Sequence, residues 1–247
     1  MRTAIRNSLV STGILIGLTF PTLAAADVVD DSRFGIGLKG GTLGAGIELD
    51  YSFNDYFNAR LQANGYNYAD EFEEDGVDYT GELDLSSYGL LIDWRPFAGT
   101  FRFSGGVYSN GNQISGAAAS YGGDILEIGD EEYVGSSSDP LRLDALIEMG
   151  SGTAGYLGFG WGNSPGGNWM FAFEAGVLFS GSPVISLDAS GTAALASNPS
   201  YTIDVGGNSP EALELQANID QEVATLQEDL SDLNIYPVVS LGFGYRF

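Results

Sequence analysis

Residues 169–179 read WMFAFEAGVLF, and each odd-numbered position carries an aromatic or aliphatic side chain. The even-numbered positions include Glu174 and Gly176. Side chains two residues apart share one face of a β-strand, so this segment has one apolar face and one partly polar face. Residues 43–53 and 239–247 alternate in the same way. This period of two predicts strands that present bulky apolar side chains to one environment.

Eight segments of this kind can be placed along the chain: 33–40, 43–53, 57–68, 83–95, 100–115, 153–162, 168–187 and 235–247. The links at 54–56, 96–99 and 163–167 are short, whereas those at 69–82, 116–152 and 188–234 are long. Outer-membrane barrels alternate short periplasmic turns with long outer loops, and lipid cannot satisfy an open sheet edge. The sequence therefore predicts an all-β fold, an eight-stranded antiparallel transmembrane β-barrel over residues 27–247 with long outer loops.

The N-terminal residues 1–26 have the three parts of a secretory signal peptide. Arg2 and Arg6 form a positive start, residues 9–20 are mostly apolar, and residues 24–26 are alanines at a possible cleavage site. A transmembrane helix is the alternative, but the apolar run is shorter than the roughly 20 residues that a bilayer requires. We expect a mature chain that begins at Asp27 and lies in the outer membrane of a Gram-negative bacterium.

The end of the sequence carries a second export feature. Gly242, Tyr245 and Phe247 lie on the last alternating segment. Their spacing is typical of the C-terminal signal that the barrel-assembly machinery recognises. All three tryptophans lie beside the short links, which predicts an aromatic girdle at one membrane interface.

Composition excludes several kinds of function. The 33 acidic residues far outnumber the 9 basic ones, so the chain lacks the basic surface that nucleic acid requires. The absence of His and Cys removes Ser-His catalysis and metal sites built on those ligands. Gly35, Gly37 and Gly40 have the spacing of a dinucleotide-binding motif, but they lie in an alternating strand with no helix after it. We expect no cofactor, no metal and no enzymatic activity.

If the bulky side chains face lipid, the opposite strand faces carry charged residues into the lumen. These are five cations and four anions: Lys39, Glu48, Asp50, Arg60, Asp93, Arg95, Arg102, Glu174 and Arg246. Eight strands leave an interior that side chains can just fill, and a buried charge needs a partner. Two interpretations follow: a structural plug of ion pairs, or a narrow polar path whose ion pairs exchange with a charged solute.

The long loops are strongly acidic, and Arg142 is their only basic residue. The first of them contains an acidic cluster at the expected mouth of the barrel: Asp70, Glu71, Glu73, Glu74 and Asp75. Such a surface would concentrate cations at the mouth, and its carboxylates could also hold divalent ions. A solvated surface without a binding role is the alternative.

The last long loop is predicted to contain a helix over residues 210–233. Ser209 can cap this helix, and Pro210 suits its first turn. Apolar residues recur every three or four positions along one stripe: Leu215, Ile219, Val223, Leu226, Leu230 and Leu233. An apolar stripe on a helix is normally packed against something. We expect this one to lie over the barrel rim, and docking of a partner protein is the alternative.

Further segments are distinctive: 92–97 (IDWRPF), 156–161 (YLGFGW), 168–169 (NW), 173–176 (FEAG) and 181–183 (GSP). With an acidic helical insert before the last strand, they resemble the ornithine-uptake, carbapenem-susceptibility family of outer-membrane porins. That resemblance implies a small eight-stranded barrel that takes up basic amino acids and carbapenems. It implies no agreed set of binding residues.

Two functions remain after these exclusions. The first is a small outer-membrane channel for uptake of cationic solutes such as basic amino acids, with the lumen ion pairs acting as a filter. The second is a non-conducting barrel with a structural or surface-interaction role. The expected partners are outer-membrane lipid, lipopolysaccharide, the barrel-assembly machinery and, for the first function, small cationic solutes. No nucleic-acid partner is expected.

Overall fold

The computed structural model describes residues 33–74, 77–122, 124–129, 131–150, 152–162 and 168–247. The predicted signal peptide and Asp27 lie outside the described residues. In chain order the elements are β1 (Phe34–Gly41), β2 (Gly44–Ser52), β3 (Phe57–Glu74), β4 (Val77–Trp94), β5 (Phe101–Asn110), β6 (Gln113–Ser120), β7 (Ile125–Ile128), β8 (Glu131–Gly135), β9 (Leu141–Glu148), β10 (Thr153–Gly162), β11 (Trp169–Phe179), β12 (Val184–Ser190), β13 (Thr192–Leu195), β14 (Ile203–Asp204), α1 (Pro210–Asp229) and β15 (Tyr236–Arg246). Within this part of the chain, no helix is both long and apolar enough to cross a membrane.

Eight of these strands close into a barrel. Going round the wall, β1 is followed by β2, β3, β4, β5, β10, β11 and β15, and β15 pairs again with β1. Every neighbouring pair is antiparallel. The predicted eight-stranded antiparallel barrel is confirmed, and closure leaves no barrel edge without a hydrogen-bonded neighbour.

Alternation separates the two faces of the barrel wall. On β3, Arg60 is buried in the lumen, whereas Leu61 is 55% exposed on the outside. Apolar side chains dominate the outer face, and its aromatic rings stack in pairs near the short turns. Trp169 lies 5.2 Å from Phe243, and Trp161 lies 6.2 Å from Phe173, measured between ring centroids. Such a belt with aromatic rings at one rim is the surface that lipid contact requires.

Three predicted boundaries were wrong. The expected loop at 69–82 is mostly strand, because β3 and β4 continue as a paired hairpin up to Glu74 and Val77. The expected strand 100–115 breaks after Asn110, and β6 then continues along the same neighbour, β4. The expected strand 168–187 ends at Phe179, because Gly181 adopts a φ of +77° and turns the chain towards β12.

The long loops fold into an outer subdomain at the end of the barrel opposite the short turns. It comprises β6 to β9, β12 to β14 and α1, together with the outer halves of β3 and β4. One sheet continues the barrel wall in the order β3, β4, β6, β9 and β12, and a second has the order β7, β8, β13 and β14. They enclose an apolar core that includes Val77, Tyr133, Leu141, Ile203 and Leu215.

The helix belongs to this outer subdomain. Ser209 caps it by accepting a hydrogen bond from the backbone N–H of Ala212 at 3.1 Å. Leu215 and Ile219 are buried in the core of the outer subdomain, whereas Leu226 and Leu233 are exposed. The expectation that the whole stripe packs over the barrel rim was therefore wrong, because the long loops supply a core of their own. The helix also ends at Asp229 and not at residue 233.

Candidate functional site in the barrel lumen

The charged side chains of the inner strand faces meet in the half of the lumen nearer the short turns. The structure places all nine predicted lumen residues in or at this network: Lys39, Glu48, Asp50, Arg60, Asp93, Arg95, Arg102, Glu174 and Arg246. Most of them are buried, while Lys39 and Glu48 are partly exposed. The lumen is therefore filled by ion pairs and not by apolar side chains alone.

Arg60 is the centre of this charge network. Its guanidinium lies 2.9 Å from Glu48 Oε2, 2.8 Å from Asp93 Oδ2 and 2.7 Å from Glu174 Oε2. Arg60 lies on β3 and Glu174 on β11, which are four places apart in a wall of eight strands. Their contact therefore spans the full width of the lumen. A planar guanidinium with several N–H donors can serve three carboxylates, which a single ammonium point charge cannot do equally well.

Glu174 is the second shared group. Arg102 Nη2 donates to its Oε2 at 2.8 Å, and the Tyr156 hydroxyl donates to its Oε1 at 2.6 Å. With Arg60, three donors from three different strands converge on one carboxylate. Hydrogen bonds to an ionised acceptor are stronger than those between neutral groups. This carboxylate joins the ion pairs to the aromatic residues above them.

The remaining charges make more local contacts. Arg246 Nη2 donates to Asp50 Oδ1 at 2.9 Å, near the short turns. Arg95 Nη1 donates to Asn58 Oδ1 at 2.7 Å. On the other side of the network, Lys39 Nζ donates to Gln62 Oε1 at 2.8 Å, and Gln62 Nε2 donates to Glu48 at 2.6 Å. A small cavity of about 20 Å³ lies beside Lys39, bounded in part by Glu48 and Glu174.

An apolar layer lies in the lumen on the side of the outer subdomain. It consists of Leu43, Leu91, Tyr108, Ala154, Tyr156, Leu178 and Val238. The sequence pattern alone did not predict that these residues belong to the site. A signal was present, because Arg102 and Tyr108 are both even-numbered on β5 and so share its inner face. The lumen thus has a charged layer and an apolar layer stacked along its axis.

The acidic cluster lies on the extended β3–β4 hairpin and not in a loop. Glu71 and Glu73 are in phase with lipid-facing Leu61, so they share the outward face of the wall, whereas Asp70 is in phase with Arg60. Asp75 lies outside the described residues. Glu71, Glu73 and Asp78 border an open hollow of about 500 Å³ with alanines on its floor. Within the described part of the chain, no group of three or more acidic residues is arranged to hold a metal ion.

The three residues of the expected assembly signal all lie at the end of the chain, beside β1 and β11. Tyr245 faces outwards and packs edge-on against Trp169, with ring centroids 5.2 Å apart. The Phe247 N–H donates to the Phe34 carbonyl at 2.8 Å. Gly242 pairs with Lys39 on β1.

Comparison with solved structures finds the same fold in two proteins of Acinetobacter baumannii. The crystal structure of CarO from Acinetobacter baumannii matches with a TM-score of 0.53 and 20% sequence identity, covering 87% of this chain and 98% of CarO. The structure of CarO2 from the same organism matches with a TM-score of 0.53, 21% identity and the same coverage. No protein-family model and no curated protein matches the sequence. The likeness confirms the fold predicted from the sequence, and it agrees with the porin resemblance found there.

Proposed function

We propose that the protein is a small outer-membrane channel for cationic solutes such as basic amino acids, and that the conformation described is its closed state. The observation that carries this proposal is the charge network that spans the lumen from Arg60 to Glu174. Apolar side chains could fill an eight-stranded barrel without the cost of removing ions from water. In a network of ion pairs, by contrast, the ammonium group of a solute can replace an arginine as the partner of a carboxylate.

The distribution of charge supports a cationic solute. Carboxylates of the network lie on several strands of the wall, including Glu48 on β2, Asp93 on β4 and Glu174 on β11. The acidic residues of the extended hairpin, with a net chain charge of −24, would raise the local concentration of cations outside the barrel. Facing outwards, Glu71 and Glu73 act through this long-range potential and not by direct contact with the lumen.

A non-conducting barrel is the second candidate function, because of the apolar layer. Leu43, Leu91, Leu178 and Val238 are each at most 2% exposed and pack around the two tyrosines. In that case the acidic outer subdomain would carry the function, by contact with divalent ions, lipopolysaccharide or another surface molecule. The outward apolar belt fits outer-membrane lipid under either function, and recognition of the C-terminal segment by the barrel-assembly machinery belongs to both.

Conductance of the purified barrel in a planar bilayer distinguishes the two functions. A cation channel should give discrete current steps that change when lysine or ornithine is added, and vesicles should take up radiolabelled lysine faster than neutral glycine. The matched control is a barrel of the same sequence inactivated by boiling before reconstitution. Absence of both current and lysine uptake would leave the non-conducting function.

A further inference from the structure

Two tyrosines form the centre of the apolar layer. Tyr108 on β5 is 1% exposed and Tyr156 on β10 is 2% exposed. Their ring centroids lie 5.6 Å apart with an interplanar angle of 69°, the edge-to-face arrangement that aromatic pairs prefer. Because β5 and β10 are neighbours in the wall, the two rings project side by side into the lumen. No other pair of rings in the described lumen occupies a comparable position.

Glycines in the wall make room for both rings. A Cβ on Gly89 would lie 2.5 Å from Tyr108 Cε1, and its three nearest atoms all belong to the Tyr108 ring. A Cβ on Gly176 would lie 2.5 Å from the Tyr156 hydroxyl, and one on Gly158 would also collide with it. At Gly89 a larger residue would force the Tyr108 ring away from the wall, whereas at Gly158 and Gly176 it would meet backbone oxygens as well as Tyr156. Only glycine leaves space for the rings at these positions, and we call the space beside each glycine the seat of its ring.

The hydroxyls attach the rings to the charged layer. Tyr156 donates to Glu174 Oε1 at 2.6 Å, and Tyr108 donates to Gln62 Oε1, which also accepts from Lys39 Nζ at 2.8 Å. Tyr108 lies on β5 and Gln62 on β3, so this bond crosses part of the lumen. Each ring thus lies in a seat in the wall and is tethered by a hydrogen bond to an oxygen that could also bind a cation.

We propose that Tyr108 and Tyr156 are the gate of the lumen, and that Glu174 and Gln62 are the latches that hold it closed. The inference rests on the channel function proposed above. Occasional rotamer changes of the rings let an ammonium group through to Glu174 or Gln62, where it competes with the tyrosine hydroxyl for the same oxygen and delays reclosing. Once released, the rings can change rotamer, and their faces attract a passing cation through its charge. The gate therefore favours cationic solutes over neutral solutes of the same size.

The test removes the tethers but keeps the rings. In the double variant Tyr108→Phe with Tyr156→Phe, the rings retain their volume while both hydrogen bonds are lost. We expect the open probability in a planar bilayer to rise at least about tenfold, since the hydrogen bond to the charged Glu174 alone stabilises the closed state by that factor or more and the bond to Gln62 adds to it. Tyr88→Phe is the matched control, because Tyr88 is 62% exposed on the outer face. Altered gel migration on boiling checks that each variant is folded.

A second pair of variants tests the seat. Gly89→Ala should raise the open probability in the wild-type background, and it should have no further effect when combined with Tyr108→Ala. An equal effect of Gly89→Ala in both backgrounds would overturn the proposed seat. If wild type passes lysine and the double phenylalanine variant has the same open probability, the proposed tyrosine gate is overturned while the proposed channel function is kept. If wild type and all variants pass neither current nor lysine, the channel function itself is overturned.

Discussion

Replacing Arg60 with methionine removes the group that holds three carboxylates in the lumen. Glu48, Asp93 and Glu174 each lie within 2.9 Å of its guanidinium, and Arg102 would remain as a salt-bridge partner for the last two. Removing one partner of a buried ion pair costs about 3–5 kcal/mol, because the other charge stays buried without compensation. Folded proteins have a total stability of roughly 5–15 kcal/mol, so this loss is a large fraction of it. We expect Arg60→Met to be the most destabilising single charge removal in the network.

The measurement is urea unfolding of barrels in lipid vesicles, followed by tryptophan fluorescence. With a denaturant slope of about 2–3 kcal/mol per molar, the midpoint should fall by roughly 1–2.5 M. Arg142→Met is the matched control, since Arg142 is exposed on β9 and a surface substitution changes stability by about 0.5 kcal/mol at most. Arg60→Lys should lie between wild type and Arg60→Met, because one ammonium cannot serve three carboxylates equally well. Equal midpoints for Arg60→Met and Arg142→Met would refute the view that this network stabilises the barrel.

Three further predictions concern the outer surface and assembly. Replacing Tyr245 and Phe247 with serine should lower the amount of barrel in the outer-membrane fraction, and an amount equal to that of a hairpin variant would count against the signal. Replacing Glu71 and Glu73 with glutamine should slow lysine entry into vesicles at low salt but not at high salt, since the screening length falls to about 8 Å near physiological ionic strength; a difference that persists at high salt would contradict long-range attraction. Leu215→Ala should destabilise the outer subdomain by about 2–5 kcal/mol and expose it to protease while the barrel keeps its gel shift; loss of the gel shift would show that the two regions fold together.

The barrel could be predicted from the sequence because its rule is local. An alternation that puts Arg60 inside also puts Leu61 outside, and no knowledge of distant residues is needed. The same rule placed the charged residues on the inner faces of their strands. It did not say which cation would meet which anion, because Arg60 and Glu174 come from strands far apart in sequence and meet only when the wall closes.

The outer subdomain was not predicted, because its pairing is not local. β6 lies between β4 and β9, and β12 joins the far side of β9, so this sheet is assembled from segments separated by up to a hundred residues. Its strands are also short, and the alanines of β6 carry little alternation. The helix was found through Ser209, Pro210 and its apolar stripe, but the surface that it covers depends on those long-range pairings.

In the proposed channel, the order of the layers along the axis separates two steps of solute entry. A cation first meets the acidic outer surface, then the apolar layer with Tyr108 and Tyr156, and only then the carboxylates of the charge network. Attraction by the outer surface changes how often a solute arrives, whereas the apolar layer sets the barrier that each arriving solute has to cross. Lysine uptake should therefore saturate, with the two regions controlling different constants.

Neutralising Glu71 and Glu73 should raise the lysine concentration needed for half-maximal uptake. The maximal rate should not change, because a high lysine concentration compensates for the lost electrostatic attraction. Removing the tyrosine hydroxyls should raise the maximal rate at every salt concentration, because the tethers are buried and little screened by salt. Initial rates of lysine uptake by vesicles, measured across concentrations at low and high salt, separate the two constants. The variant without the Glu71 and Glu73 charges could instead lower the maximal rate as much as it raises the half-saturating concentration. That result would place the acidic surface within the solute path itself. The apolar layer would then no longer be the barrier that limits entry.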